Sequence, residues 1–287
     1  MTAQETAATF ADYIKRNNAA NAVMSDTLLA GYEGGSSLAI DKASYASARK
    51  LGDDDDYQPF VYTRPTFHVP ASSEPWFLTT AYWKGKKETA KQPSYLLFAR
   101  EGDGWRQVYS PDVFKGADLP RIATDASGAA TEVGQADAAG LLMSPAAFAK
   151  GYAALVTGKG TKAEKSRYAA DGIVTDAASN RLKMNRYARV NEGARPAAYP
   201  SYALRTADGG ALAFTTIERT KRYDVRQGPE RNYVFQENNG LLQGKYYTYM
   251  KLTELIQVVA HIPPKDGKPG QVKVVASYRG IISGSGR

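Results

Sequence analysis

The chain of 287 residues is 43% hydrophobic and 23% charged, which is the balance of a globular protein and excludes a disordered one. It contains no cysteine, so disulfides and thiolate metal sites are excluded, and its two histidines, His68 and His261, leave little material for histidine-dependent catalysis. The net charge of +8 is unevenly spread: residues 144–287 carry 23 Lys and Arg against 11 Asp and Glu, a net +12, whereas residues 1–143 carry 14 against 18, a net −4.

The first half predicts helices followed by antiparallel strands. Apolar residues recur at helical spacing from Phe10 onward, and Ser25 or Asp26 can cap a second, short helix that ends at Gly34-Gly35. A further helical turn is predicted over 44–50. The strands that follow are rich in aromatic and aliphatic residues and are predicted at 60–62, 66–69, 76–83, 95–99 and 105–109.

The second half repeats this order. Ser144 followed by Pro145 is a typical helix start, and a second helix is predicted over 161–170. Strands are predicted at 202–204, 211–217, 245–261 and 272–278. The hairpins at 65–83 and 200–217 share a proline, a hydroxyl residue, an aromatic and a strand that ends in Thr-Thr, which indicates an internal duplication.

Helices before antiparallel strands, twice over, indicate an α+β fold. We expect two tandem rolls, each with N-terminal helices packed on a curved antiparallel sheet. The first, acidic roll covers residues 1–120 and the second, basic roll covers 144–287. Residues 121–143 form a connection that is expected to pack against one of the two.

Three groups with potential chemistry are interpreted as structural. The acidic run Asp53–Asp56 lacks the spaced ligands and glycine of an EF-hand calcium loop, so a solvated loop is the preferred interpretation. His68 alternates with its apolar neighbours and is expected to point outward, and His261 stands at a strand end. No nucleophile elbow, Walker loop or dinucleotide fingerprint is present, so no catalytic residue, metal site or cofactor is predicted.

Tyrosine is the more informative residue, with 19 copies against 9 of phenylalanine. Its flat ring and polar tip suit the recognition of sugars or proteins, and interleaved arginines suit a polyanion. Tyr247 and Tyr249 are predicted to share one face of a strand. The alternatives are an ordinary half-buried sheet and charged, solvated sheet edges. The candidate binding residues are Tyr247, Tyr249, Tyr223, Tyr233, Arg219, Lys221, Arg222 and Arg226.

Several short motifs resemble an uncharacterised family of secreted actinobacterial lipoproteins. The motifs are Asn17–Asn21, Asp26-x-Leu28-Leu29, Glu33-Gly34-Gly35, Tyr45, Phe60–Thr63, Pro70-Ala71 before Trp76-Phe77, and Tyr202–Leu204 before Ala207–Gly210. The resemblance implies an envelope location and no known activity. It also implies a lipid-modified cysteine that this sequence lacks, so we expect the soluble ectodomain, the alternative being a cytoplasmic protein. The architecture is similar to cystatin-like and nuclear-transport-factor-like rolls, which often have a pocket between helix and sheet.

These observations order three functions. The first is a non-enzymatic cell-envelope binding or scaffold protein, and the second is a small-molecule or glycan binder with an aromatic pocket. The third is a hydrolase or isomerase with a carboxylate in a roll pocket, which a closed polar pocket holding a perturbed carboxylate would favour. The basic half predicts an anionic wall polymer, a membrane surface or another envelope protein as partner, and no nucleic acid in vivo.

Overall fold

A computed structural model describes residues 1–52, 57–228, 231–266 and 270–287. The helices are α1 (Ala3–Val23), α2 (Asp26–Leu29), α3 (Gly35–Leu51), α4 (Pro145–Val156), α5 (Lys162–Lys165) and α6 (Gly172–Met184). The strands are β1 (Val61–His68), β2 (Trp76–Lys84), β3 (Ser94–Glu101), β4 (Gly104–Tyr109), β5 (Asp112–Val113), β6 (Ala188–Pro196), β7 (Tyr202–Arg205), β8 (Ala211–Val225), β9 (Tyr249–Ile262) and β10 (Lys273–Gly286). The run Asp53–Asp56 and part of the predicted loop at 262–270 lie outside the described residues.

Local sequence explains where the helices begin. Thr2 and Glu5 form a capping box at α1, in which Glu5 N–H donates to Thr2 Oγ1 (3.2 Å) and Thr2 N–H to Glu5 Oε2 (2.7 Å). Ser144 caps α4 ahead of Pro145, as predicted. Gly35 has a φ of +51° and opens α3 rather than only ending the previous helix, so the predicted turn at 44–50 is the last part of a helix of 17 residues.

Some elements of the second half differ from the sequence prediction. The helix expected over 161–170 is a single turn, α5, and the longer α6 and the strand β6 were not predicted. The apolar periodicity of α6 is weak because Ile173 and Ala177 are its buried residues. In β6, Ala188 alone is fully buried, so the alternation that marks a strand is missing. β9 begins at Tyr249, which leaves Tyr247 in the preceding segment.

The strands form one antiparallel sheet in the order β1-β2-β3-β5-β10-β9-β8-β6, with β4 also paired to β3 and β7 to β8. The short β5 joins the two halves, because Asp112 pairs with Ser94 of β3 and also with Ser277 of β10. This confirms the α+β class. Each half has helices followed by strands that pair in chain order, but the duplication and the two-roll boundaries stay predictions.

The connection at 121–143 lies against both halves, not one as expected. Ala130 N–H donates to Val69 O (2.9 Å) in the first half. Val133 N–H donates to Ala203 O (2.9 Å) in the second, and Arg205 N–H donates back to Thr131 O (2.8 Å). Because unpaired buried backbone groups are costly, these bonds fix the connection across the junction of the halves.

Helix α3 crosses the junction of the two halves and lies on β4, β9 and β10. Gly280 of β10 permits the close approach, since a Cβ there would stand 2.7 Å from Ile40 Cγ2. At the start of α3, the buried Gln257 of β9 donates through Nε2 to Ser36 Oγ (2.9 Å) and Ser37 Oγ (3.0 Å). One amide of the second half therefore holds the first turn of a helix from the first half.

The same amide also binds the β4–β5 region. Gln257 Nε2 donates to Val108 O (3.1 Å), and its Oε1 accepts from Ser110 N–H (2.9 Å). Such a fully paired buried amide is stabilising only while every partner remains, because each orphaned polar group costs about 1–3 kcal/mol.

We expect Gln257→Leu to lower the free energy of unfolding by about 2–4 kcal/mol, because it orphans groups in both halves. Urea unfolding with far-UV circular dichroism measures this, and the exposed Gln4→Leu in α1 is the matched control. Equal stability of the two variants would contradict the role assigned to Gln257.

Candidate functional site

The predicted binding residues lie in three separate places. The first group, Arg219, Lys221 and Tyr223, lies on one face of β8 and is largely buried, with Arg219 only 2% exposed. Arg219 Nη2 lies 2.9 Å from Glu192 Oε2, and Lys221 Nζ lies 2.9 Å from Glu254 Oε2. These cations are paired inside the protein. β8 also lies between β6 and β9, so protection of a sheet edge does not explain them.

The other two groups lie nearer to solvent. The Arg222 guanidinium stands 4.3 Å above the Tyr249 ring and 2.7 Å from Asp224. Tyr233 and Tyr247 lie in the segment between β8 and β9, with their ring centroids 5.9 Å apart. Arg226 Nε donates to the backbone oxygen of Asn185 (3.2 Å). The structure therefore does not bring the eight residues together, and their role in binding stays a prediction.

Both histidines have structural surroundings. His68 is partly buried rather than pointing freely outward, and burial lowers its pKa. His261 Nε2 lies 3.1 Å from Asp208 Oδ2, a carboxylate that also accepts from Gly210 N–H (3.0 Å) in the turn before β8. His261 therefore fastens a turn to the end of β9.

The buried ion cluster leads to a stability prediction. Glu192→Gln removes the carboxylate that pairs with both Arg219 and Arg181, and breaking such a buried pair from one side costs about 3–5 kcal/mol. Glu218→Gln, on the neighbouring β8, breaks only the solvent-exposed pair with Arg195 and should cost less than about 1 kcal/mol. Urea unfolding of both variants tests the contrast, and similar losses would show that Arg219 is not held by Glu192.

A polar cavity of about 270 Å³ lies between α1, α3 and the sheet, in the position that the resemblance to roll folds predicts. It has carboxyl groups, tyrosine hydroxyls and amides on its walls. The lining residues are Tyr13, Asn17, Asn21, Glu33, Asp41, Ser44, Tyr45, Tyr62, Ser110, Asp112 and Tyr278.

A pair of carboxyl groups forms the centre of this cavity. Glu33 is 3% exposed, and a parallel bridge to Gln107 holds its backbone beside β4. Asp41, one turn and more into α3, hydrogen-bonds with Glu33 and accepts a hydrogen bond from Tyr278 Oη. Burial raises the pKa of Glu33, and the Asp41 carboxylate raises it further. Burial also raises the pKa of Asp41, while the hydrogen bonds from Tyr278 and Glu33 oppose that rise.

The pair is therefore best described as two carboxyl groups that share one proton, with Glu33 the neutral member. Its second oxygen, Glu33 Oε2, is buried in the protein without a hydrogen-bond partner. An unsatisfied buried polar atom is unusual and costly, and here it belongs to a residue that lines a cavity.

A ladder of amides and hydroxyls positions the opposite wall. Asn17 Oδ1 accepts from Tyr32 Oη (3.1 Å) and from Asn21 Nδ2 (3.0 Å). Asn21 Oδ1 in turn accepts from Tyr45 Oη (2.5 Å). Asn17 and Asn21 are four residues apart on α1, so one helix face presents both amides to the cavity.

Sequence reasoning did not select these residues as a site, although several belong to motifs that carry the family resemblance. Glu33 stands in Glu33-Gly34-Gly35, and Asn17, Asn21 and Tyr45 lie in two others. A signal was present in the spacing of Asp41 and Tyr45, four residues apart in a helix, where a carboxylate and a tyrosine share a face. Nothing in the sequence indicated that Tyr278, more than two hundred residues later, meets Asp41.

The structure also describes what other chemistry is accessible. Within the described ranges, no cluster of three or more His, Asp or Glu side chains is arranged to hold a metal ion. In the same part of the chain, no helix is both long and apolar enough to cross a bilayer.

An α+β protein with a polar cavity between its N-terminal helices and its sheet is thus the class that the fold and the site define. The chain belongs to the family described as a domain of unknown function, DUF8094, whose profile matches residues 1–286. It is similar to an uncharacterized lipoprotein of Streptomyces coelicolor, with 27% identity over 282 residues that cover 94% of this chain and 81% of the relative. No solved structure matches the chain.

The pKa of Glu33 leads to a prediction about pH. The folded state holds a proton that the unfolded chain releases above its ordinary pKa of 4.5, so the stability of the protein falls as pH rises above that value toward the raised pKa. Glu33→Gln keeps a hydrogen-bond donor for Asp41 and cannot ionise. We expect it to match the wild type at about pH 4 and to be about 1–3 kcal/mol more stable at about pH 8.

Urea unfolding at both pH values measures the difference, and the exposed Glu74→Gln serves as the matched control that should change neither. A Glu33→Gln variant that is less stable at about pH 8 than the wild type would show that the carboxylate is well accommodated there.

Proposed function

We propose that this protein is a lipid-anchored protein of the cell envelope that binds a small polar molecule in the cavity between α1, α3 and β10. One observation carries the binding role: a buried carboxyl oxygen, Glu33 Oε2, faces a polar cavity of about 270 Å³ without a hydrogen-bond partner. Folding leaves such an atom unsatisfied at a cost that a bound ligand can offset. The similarity to an uncharacterized lipoprotein supports the location.

Binding is a better account of the carboxyl pair than glycoside hydrolysis. The two catalytic carboxyl groups of glycosidases stand about 5–9.5 Å apart so that the scissile bond and a water fit between them. Glu33 and Asp41 hydrogen-bond with each other, so no substrate atom fits between them. A perturbed carboxyl in a polar pocket is the feature expected of an enzyme, but the direct contact of the pair favours a non-enzymatic ligand site.

An anionic envelope partner stays a separate prediction. Its most favourable contact is a groove of about 500 Å³ lined by the half-exposed rings of Tyr187, Tyr233 and Phe235, together with Lys183 and Arg231. Exposed aromatic and basic side chains in one groove are typical of surfaces that recognise sugars or anionic polymers.

Closing the cavity mouth tests the proposed ligand site. Ser44 lies exposed on α3 at the cavity, and Ser44→Trp should fill the opening, whereas Lys42→Trp places the same ring on an exposed position of α3 outside the lining. A library of small polar metabolites is screened by ligand-observed NMR against the wild type. We expect binders that Ser44→Trp weakens about tenfold or more and Lys42→Trp leaves unchanged. Binders that survive Ser44→Trp, or a library without binders, would contradict the proposal.

A further inference from the structure

We infer that the ligand of this cavity is a small organic amine, bound as its ammonium ion between Glu33, Asp41 and the surrounding tyrosines, with the release of the proton that the two carboxyl groups share. The inference rests on the proposed function, since it names the chemical class of the ligand for the same cavity.

The charges that face the cavity are all acidic or neutral. α3 and the segment before it contribute Asp41 and Glu33, and β5 contributes Asp112 at the rim. No Lys, Arg or His is among the described residues of the lining. Because a buried charge needs a partner of opposite sign, a cationic ligand would complete a set of charges that the protein leaves incomplete.

The remaining titratable groups of the lining are tyrosines from four elements. Tyr13 lies on α1, Tyr45 on α3, Tyr62 on β1 and Tyr278 on β10. Burial raises the pKa of each, so all four stay neutral at physiological pH and none competes with the carboxyl groups as an anion. Aromatic rings around a carboxylate are the surroundings in which proteins hold ammonium groups, through the negative faces of the rings.

Hydrogen-bond capacity indicates a donor ligand. Asp41 already accepts from Tyr278, and its second contact is with Glu33, whose Oε2 accepts nothing. An ionised Glu33 can only accept hydrogen bonds, so the missing group must be a donor. A protonated amine supplies up to three donors and one positive charge, which also removes the reason for the pair to keep its proton.

The size of the cavity indicates a small molecule. A volume of about 270 Å³ corresponds to roughly nine water molecules at the density of the liquid. This accommodates a short aliphatic amine and excludes a polymer chain or a protein side. The exposed Ser44 and Asp112 at the rim mark the opening through which such a molecule would enter.

The proton balance is explicit. The free site carries one proton on the Glu33–Asp41 pair, and the amine arrives already protonated. On binding, the O–H bond of Glu33 breaks, its proton goes to the buffer, and the ammonium N–H groups donate to the two carboxylates. No oxidant, reductant or other reactant is required.

Isothermal titration calorimetry with 1,4-diaminobutane tests the inference, in phosphate and in Tris at about pH 7, because the two buffers differ in their heat of protonation. The neutral 1,4-butanediol has the same length and serves as the matched probe, and magnesium chloride tests a bare cation. We expect the diamine alone to bind, with a buffer-dependent heat that reports proton release.

Glu33→Gln keeps the shape and the hydrogen-bond donor but removes the charge. It should weaken diamine binding about thirtyfold or more, which is the loss that removal of one partner from a buried charge pair brings, and it should abolish the buffer dependence. Glu74→Gln should change neither. A structural role of Glu33 alone would not move the proton count.

The outcomes separate the inference from the proposed function. Equal binding of the diol, binding without proton release, or binding of magnesium alone would overturn the amine. A neutral metabolite that binds and is blocked by Ser44→Trp would overturn it too, while the cavity would stand as a ligand site. If neither the diamine nor any library member responds to Ser44→Trp, the ligand site itself fails.

Discussion

The rest of the molecule depends on one buried amide, Gln257, at the junction of the two halves. It reaches the first turn of α3 through Ser36 and Ser37, and the end of β4 through the Val108 carbonyl. Because its partners come from both halves, the chain cannot separate them without orphaning several polar groups at once. The position of α3 on the joined sheet follows, with Ile40 over the bare backbone of Gly280. That placement brings Asp41 within hydrogen-bond reach of Tyr278 and so creates the cavity.

The two clusters of buried charge differ in a way that separates structure from function. In the cluster around Glu192, arginine and lysine side chains stand against carboxylates at distances of about 3 Å, so each charge has a partner supplied by the fold. In the cavity, Glu33 and Asp41 have only each other and neutral hydroxyls, and the protein must keep a proton to hold them together. A fold gains nothing from an uncompensated carboxyl pair, so the cavity is the place where stability has been given up, as binding sites require.

Local sequence patterns predicted the elements that pack by regular alternation or periodicity. α1 and α4, with their caps, and β2 and β3, which bury nearly continuous apolar runs, follow from such patterns. α6 and β6 do not, because their buried faces consist of a few small residues. The predicted binding residues failed for a related reason: spacing places Arg219 and Lys221 on one face of a strand but does not say whether that face meets water. The cavity depends on Tyr278, which only the tertiary fold brings to α3.

Net charge by halves is a poor guide to the surface because buried pairs consume part of it. Three of the 23 cations of residues 144–287, Arg181, Arg219 and Lys221, are engaged by Glu192 and Glu254 in or near the interior. The acidic excess of the first half has a definite local expression, since Glu33, Asp41 and Asp112 converge on one cavity without a cation in its lining. The asymmetry in the sequence therefore has a concentrated origin on the acidic side, at the cavity, and a dispersed one on the basic side. A small cation that enters the cavity responds to the local field of these carboxyl groups, whatever the net charge of the whole chain.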